Sequence, residues 1–314
     1  GPLRAAARGS RTVTTAHSAR SSDPPSYAAS DPLVWIDGQR AEPRGAHVSA
    51  LDRGFTLGDG LFETMRVYHG KLFRLEHHLA RLAHSATVLG ISLGPRVRLM
   101  LEDAICAARA AGLHEAALRL TVSRGVGPRG LAPPPDPTPT VVIAVYALPP
   151  RAAAPPLAVC TARARRNEHA LTAGMKTLGY VESVLALAAA HAAGADDALF
   201  LDTAGHLCEA TASNLFLVGD DVLLTPPPSC GVLPGITRAA VLELAATIGL
   251  QAREQPVLPD DLRHAGEAFL TSSLREIAPI ATVDGRPMPN AAPGPVTRRV
   301  TDAFAALVRR ECPP

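Results

Sequence analysis

Only two lysines, Lys71 and Lys176, stand among the 31 lysine and arginine residues of this sequence. Arginine stays protonated in proteins, whereas a lysine held away from water can lose its proton and attack a carbonyl carbon. A lysine in a chain that otherwise uses arginine is therefore a candidate for chemistry, with chance retention as the plain alternative. Lys71 follows His69-Gly70, a turn tip where a solvated ammonium is expected. Lys176 lies in the segment 173–180, between a basic run at 163–166 and an apolar helical stretch. A loop entering a helix can desolvate the amine, lower its pKa and turn it on an aldehyde.

Three further groups bear on the same chemistry. Gly235-Ile236-Thr237-Arg238 runs straight into an apolar-periodic helix. Free N–H groups at such a start, with a threonine hydroxyl beside them, bind anions such as phosphate. An ordinary Gly–Thr N-cap explains the same residues. Thr271-Ser272-Ser273 ends an apolar strand and either closes around that anion or caps the segment 274–277. Glu209 sits between a short strand and the strand-like run 214–216, where it is either a buried acid needing a cation or an exposed loop glutamate. The turn at 52–60 is glycine-rich but has no phosphate-loop pattern, and His77 and His78 on one helix read as solvated or capping rather than metal-binding. A lysine amine, a phosphate cup and an acid for a ring nitrogen are what a protein must supply to hold pyridoxal 5′-phosphate.

The elements that must position these groups follow from periodicity. Strands are expected at 33–36, 61–68 and 71–73 with hairpin turns at 37–38 and 69–70, then helices at 75–90 and 96–112 and strands at 116–123 and 140–147. A Pro/Ala stretch at 148–156 reads as an interdomain linker. Beyond it come strands at 157–163, 197–202, 206–209, 214–218, 222–225 and 267–271, and helices at 180–193, 236–249 and 296–310. Mixed strands and helices in both halves make the class α/β or α+β. The expected organisation is an N-terminal extension over 1–30, a small α/β domain over 31–148, the linker, and a larger domain over 157–314. A net charge of +2 is too small to argue for nucleic acid or a membrane surface, and no apolar run suits a membrane span. Five scattered cysteines without a C-x-x-C fit a reducing compartment and argue against a disulfide framework. The Arg- and Ser-rich stretch 1–30, with no acid before Asp23, reads as an unfolded extension of a cytoplasmic protein, or alternatively as an organellar transit peptide.

In six ordered blocks the sequence resembles the class IV, fold type IV, pyridoxal-phosphate enzymes. The blocks are Asp52-Arg53-Gly54 to Gly58-Asp59-Gly60, Phe73-Arg74-Leu75 to His78-Leu79-Ala80-Arg81-Leu82, Lys176 to Tyr180, Glu209 with Asn214-Leu215-Phe216, Leu233 to Arg238, and Thr271-Ser272-Ser273 with Glu276-Ile277. The resemblance covers about residues 33–310 and implies two α/β domains of D-amino-acid-aminotransferase type with the cofactor between them, in a homodimer acting on a small-molecule substrate. It implies that Lys176 joins the cofactor aldehyde and moves the proton, and that Glu209 keeps the pyridine nitrogen protonated. Arg81, Ile236, Thr237 and Ser273 would bind the phosphate, and Tyr180 would approach the cofactor 3-hydroxyl. Thr64 and the loop carrying Arg129 resemble 4-amino-4-deoxychorismate lyase, with Thr64 catalytic and Arg129 binding a substrate carboxylate. Phe62 and Arg66 would also face substrate. Arg66 and the 233–238 block suit branched-chain aminotransferases equally. The expected activity is thus the lyase, with class IV transamination as the alternative and a non-catalytic binding protein on the same fold as a remote third.

Overall fold

The computed structural model describes residues 31–149, 153–219, 222–290 and 292–314. The extension expected over 1–30 and part of the linker lie outside them. The first half contains β1 (Leu33–Ile36), β2 (Gln39–Ala41), α1 (Arg53–Leu57), β3 (Gly60–Tyr68), β4 (Lys71–Leu72), α2 (Leu75–Leu89), α3 (Arg96–Ala110), β5 (Ala116–Ser123) and β6 (Thr140–Ala147). Its strands form a six-stranded antiparallel sheet ordered β2-β1-β6-β5-β3-β4. Strand side chains alternate between faces. Leu61, Met65 and Val67 of β3 and Leu118, Leu120 and Val122 of β5 therefore share one core with Leu82, Ala86, Leu101 and Ala104 of α2 and α3. The same alternation turns Phe62, Thr64, Arg66 and Tyr68 to the opposite face.

The second half contains β7 (Leu157–Arg165), α4 (Val181–Ala192), β8 (Asp197–Leu201), β9 (Leu207–Ala210), β10 (Asn214–Gly219), β11 (Val222–Thr225), α5 (Ile236–Thr247), β12 (Gln251–Glu254), α6 (Pro259–His264), β13 (Glu267–Ser272), β14 (Glu276–Val283), β15 (Arg286–Pro287) and α7 (Pro295–Glu311). Its nine-stranded sheet runs β12-β11-β10-β13-β14-β7-β8-β9, with β15 on β14. Pairings β14–β7, β7–β8 and β11–β12 are parallel. Val296, Val300, Phe304, Leu307 and Val308 recur at helical spacing along α7 and pack with Val241 and Leu244 of α5 against Phe216 and Phe269. Among the described residues no helix is long and apolar enough to cross a membrane.

Two elements expected otherwise take a different form. The glycine-rich turn at 52–60 includes one helical turn, α1. It is capped by Asp52 accepting from the Gly54 N–H at 2.7 Å and closed by Gly58 at φ 68°. The segment 274–277 is capped by the hydroxyl cluster, with Ser272 Oγ accepting from Arg275 N at 3.2 Å, but the chain then re-enters the sheet as β14, with Thr271 opposite Ile277. β12 and α6 have no counterpart in the sequence expectations. Three of the four residues of β12 are exposed, so no apolar alternation marks it, and only its pairing to β11 makes it a strand.

The two sheets are joined by contacts that no local pattern announces. Tyr68 donates its hydroxyl to Glu276 Oε1 at 2.8 Å, and Phe73 packs edge-on against Phe304 with centroids 5.5 Å apart. Arg74 donates to both oxygens of Glu243 at 2.9 and 2.6 Å, tying the start of α2 to α5.

Candidate active site

The backbone of β3 carries Lys176 into the join between the sheets. Phe62 N donates to Lys176 O at 2.9 Å, Leu178 N donates to Gly60 O at 3.1 Å, and Leu61 and Thr177 form an isolated antiparallel bridge. The approach is close enough that a Cβ on Gly60 would lie 2.8 Å from Leu178 Cδ1 and 2.5 Å from Val122 O. The amine that follows lies 4.3 Å from the Phe62 ring centroid and 5.2 Å from that of Tyr180, and it donates to the Tyr180 hydroxyl at 3.2 Å. Burial, assisted by the Arg81 and Arg119 charges against Glu63 and Glu209, lowers the Lys176 pKa to about 8. The amine therefore gives up its proton far more readily than an ordinary lysine. Burial also raises the Tyr180 phenol to about 12, so it stays a hydroxyl. Lys71, by contrast, is exposed at its turn and donates to Pro313 O at 3.0 Å.

Glu209 lies on β9 opposite Asn214 of β10, and it is buried, which removes the exposed-loop alternative. Its Oε2 accepts from Leu233 N at 3.0 Å and Asn214 Nδ2 at 3.1 Å. Among the described residues its Oε1 meets only the Arg166 guanidinium, at 3.6 Å. Burial pushes the Glu209 pKa up, against the pull of Arg166 and the Leu233 N–H. The acid therefore gains by any cation seated beside Oε1. Arg166 itself stacks over Phe200 at 4.5 Å and keeps a buried Nε without a partner among the described residues.

The third component is the start of α5. Gly235 is its N-cap and offers no side chain, so the first-turn N–H groups of Ile236 and Thr237 have no side-chain cap. Gly235 cannot be larger, since a Cβ there would collide with Asn214 Oδ1. We expect Gly235→Ala to displace Asn214, and with it the seat of Glu209, and to cost about 1–3 kcal/mol in thermal or denaturant unfolding. Arg81 on α2 reaches this helix start by donating to Pro234 O at 2.9 Å. Ser273 is half-buried in the turn after β13, the strand on which α5 packs. A cavity of about 480 Å³ opens on the Glu209 side of this site, lined by Arg166, Met175, Thr177, Tyr180, Glu209 and Leu233.

Other residues are placed differently from the expectation or were not foreseen. Thr64 lies opposite Arg119 of β5, on the face that carries Phe62. Arg66 corrects the expectation of a substrate-facing residue. Its guanidinium donates to Leu274 O at 3.0 Å and lies 3.7 and 3.9 Å from Glu115 and Glu276, so it joins the two sheets. Arg129 is exposed on a loop pinned by Arg53, which donates to Gly130 O and Leu131 O. Arg81 and Arg119 both act on Lys176 and Tyr180, and Arg119, 3.4 Å from the Phe62 ring centroid, is the one not foreseen. Its only sequence signal is a charge amid apolar alternation, in AALRLTV. His78 is a further correction: it is not solvated but 1% exposed, with Nδ1 2.7 Å from Glu63 Oε2.

The sequence model of the family described as amino-transferase class IV matches residues 60–283. The chain belongs to the class IV aminotransferases. A branched-chain-amino-acid aminotransferase of Pseudomonas aeruginosa is 33% identical over 299 residues, covering 90% of this chain and 95% of that protein. Two solved structures share the fold. One is a branched-chain amino acid aminotransferase of T.th., complexed with N-(5′-phosphopyridoxyl)-L-glutamate. It has a TM-score of 0.82 and 30% identity, covering 90% of this chain and 95% of that one. The other is 4-amino-4-deoxychorismate lyase from Pseudomonas aeruginosa, with a TM-score of 0.74 and 33% identity, covering 89% and 99%. Class IV aminotransferases are pyridoxal-phosphate-dependent enzymes acting on small molecules, and the mixed α/β architecture is that of fold type IV.

Proposed function

We propose that this class IV aminotransferase holds pyridoxal 5′-phosphate between its two halves, with Lys176 as the linking lysine, and transaminates amino acids of the branched-chain type with a 2-oxo acid such as 2-oxoglutarate. The observation that carries the cofactor assignment is the desolvated Lys176 amine flanked by a buried acid with one underused oxygen and by an uncapped helix start beside an arginine. Those groups fit an aldehyde, a protonated ring nitrogen and a phosphate respectively. When bound, the cofactor supplies an aldehyde that joins an amino group and a ring that delocalises the charge left when the α-proton departs.

The chain's own residues then have distinct tasks. Lys176, once released, is the base that takes the α-proton and returns it, a role suited to a pKa near 8. Tyr180 holds that amine through its hydroxyl. The Glu209 carboxylate stabilises positive charge on the ring nitrogen. Arg81, Ile236, Thr237 and Ser273 seat the phosphate. Phe62 and Tyr180, edge to face at 5.0 Å, exclude water from the amine. Arg119, stacked on Phe62 and donating from Nε to Thr121 Oγ1 at 3.3 Å, places a positive charge on the face where a substrate carboxylate would lie.

Most curated relatives are named branched-chain aminotransferases, which supports transamination. The Thr64 hydroxyl, on the Phe62 face opposite Arg119, favours a second reading, 4-amino-4-deoxychorismate lyase. There the same proton removal is followed by loss of pyruvate as the ring becomes 4-aminobenzoate, with Thr64 placing a proton and Arg129 binding a carboxylate. A paired assay separates the two: glutamate formed from a branched-chain amino acid and 2-oxoglutarate, against pyruvate and 4-aminobenzoate formed from aminodeoxychorismate. Activity only in the second assay overturns the transaminase reading and leaves the cofactor assignment intact.

A homodimer is part of the same proposal. Val181, Val184 and Leu185 form an exposed apolar stripe on α4, and Phe55 and Leu57 are exposed on α1. So is the division into domains over 31–148 and 157–314, which the separate sheets on either side of 149–156 support. A reducing compartment suits cysteines that are all free.

A further inference from the structure

We propose that Glu63 and His78 are positioning residues that aim Arg81 at the anion seated on the start of α5; this rests on the cofactor-phosphate reading above and adds to it the residues that orient the arginine. Glu63 lies on β3 and, by alternation, faces α2 rather than the cavity. Its Oε1 accepts from Arg81 Nε at 2.8 Å and its Oε2 from Arg81 Nη2 at 2.6 Å, a bidentate pair that fixes the guanidinium plane. Arg81 Nη1 donates to Pro234 O, the residue before the Gly235 N-cap. With Nε and one N–H of each terminal nitrogen thus engaged, the second N–H of each terminal nitrogen remains for a ligand. His78 completes the arrangement: its Nδ1 meets Glu63 Oε2 at 2.7 Å.

A carboxylate only 1% exposed is an expensive way to join a strand to a helix, since apolar side chains of similar volume do so without desolvating a charge. Its distinctive consequence here is orientation. Hydrogen bonds from His78 and Arg81 outweigh burial and hold the Glu63 pKa near 2, while burial keeps His78 below its ordinary value. Glu63 is therefore the anion, Arg81 the cation, and the neutral imidazole donates one N–H without competing for the incoming anion.

The test compares pyridoxal 5′-phosphate with pyridoxal, which lacks the phosphate, for binding to the full chain freed of cofactor, with ³¹P NMR of the loaded protein. For Glu63→Gln we expect about tenfold or greater weakening for the phosphorylated ligand, less than about threefold for pyridoxal, and a shifted, broadened ³¹P resonance. Equal weakening for both ligands, or none for either, overturns the proposal. If Glu63→Gln does not fold, the His78 variants decide. His78→Asn, which keeps an N–H near the Nδ1 position, should retain the preference for the phosphorylated ligand, and His78→Leu should lose it selectively. Identical behaviour of those two variants overturns the proposal. A wild-type chain that does not prefer the phosphorylated ligand overturns the phosphate seat itself, whereas loss confined to the variants does not.

Discussion

Lys176→Ala is expected to lose the visible absorbance of the lysine-linked cofactor and to lower turnover by about 10⁴-fold or more, because one side chain supplies both the covalent link and the base. Lys71→Ala should keep both, since its amine is exposed and donates to the Pro313 carbonyl. The reverse pattern would refute the assignment. The same amine leaves a signature in the cofactor-free protein. Its pKa is about 8 in the folded chain against an ordinary value of 10.5. Between those values the unfolded chain binds the proton and the folded chain does not, so stability rises with pH across that window. Below about pH 8 the full cost of burying the ammonium is present, on the order of 3 kcal/mol. Lys176→Met should therefore stabilise the cofactor-free protein at pH 7 while destroying activity, with the gain shrinking toward pH 10.5. Urea melts of both proteins at pH 7 and pH 10 check this, and a gain that grows with pH would contradict the buried amine.

The second large effect is at Glu209. Glu209→Gln keeps an oxygen for the Leu233 and Asn214 N–H donors and removes only the negative charge. With the cofactor bound, kcat is expected to fall by about 10²–10³-fold, the scale of losing one preorganised electrostatic partner of the developing charge. Without the cofactor the effect reverses. Burial raises the folded-state pKa of Glu209 above its ordinary value of 4.5, so above that value the folded chain binds more protons than the unfolded one and stability declines as pH rises. The glutamine variant escapes that decline. A stability gain without cofactor, paired with a loss of kcat, is what an acid waiting for a cation produces. An exposed glutamate would give neither, and a buried one with a purely structural role would give no loss of kcat.

Residue types and their spacing were enough to specify the parts and their order. The rarity of lysine singles out Lys176, the Gly235–Thr237 run marks an uncapped helix start, and period-two and helical spacing locate most strands and helices around them. These signals are local: each depends on residues within a turn or two of one another. Arg119, Arg166 and the Glu63–His78 pair escape such a reading because their meaning depends on partners far along the chain. Glu63 and Arg81 are neighbours only because β3 packs against α2, and a histidine on a polar-looking helix face is buried only once a strand covers it. Arg66 departs from its expected place for the same reason. Alternation puts it on the face of Phe62 and Thr64, but farther along the strand that face meets Leu274 and Glu276 instead of the cavity. Which charges are buried, and what they face, came from the packing of the two halves. Desolvation and pairing depend on the whole neighbourhood of a group, whereas strand and helix periodicity follow from backbone geometry alone.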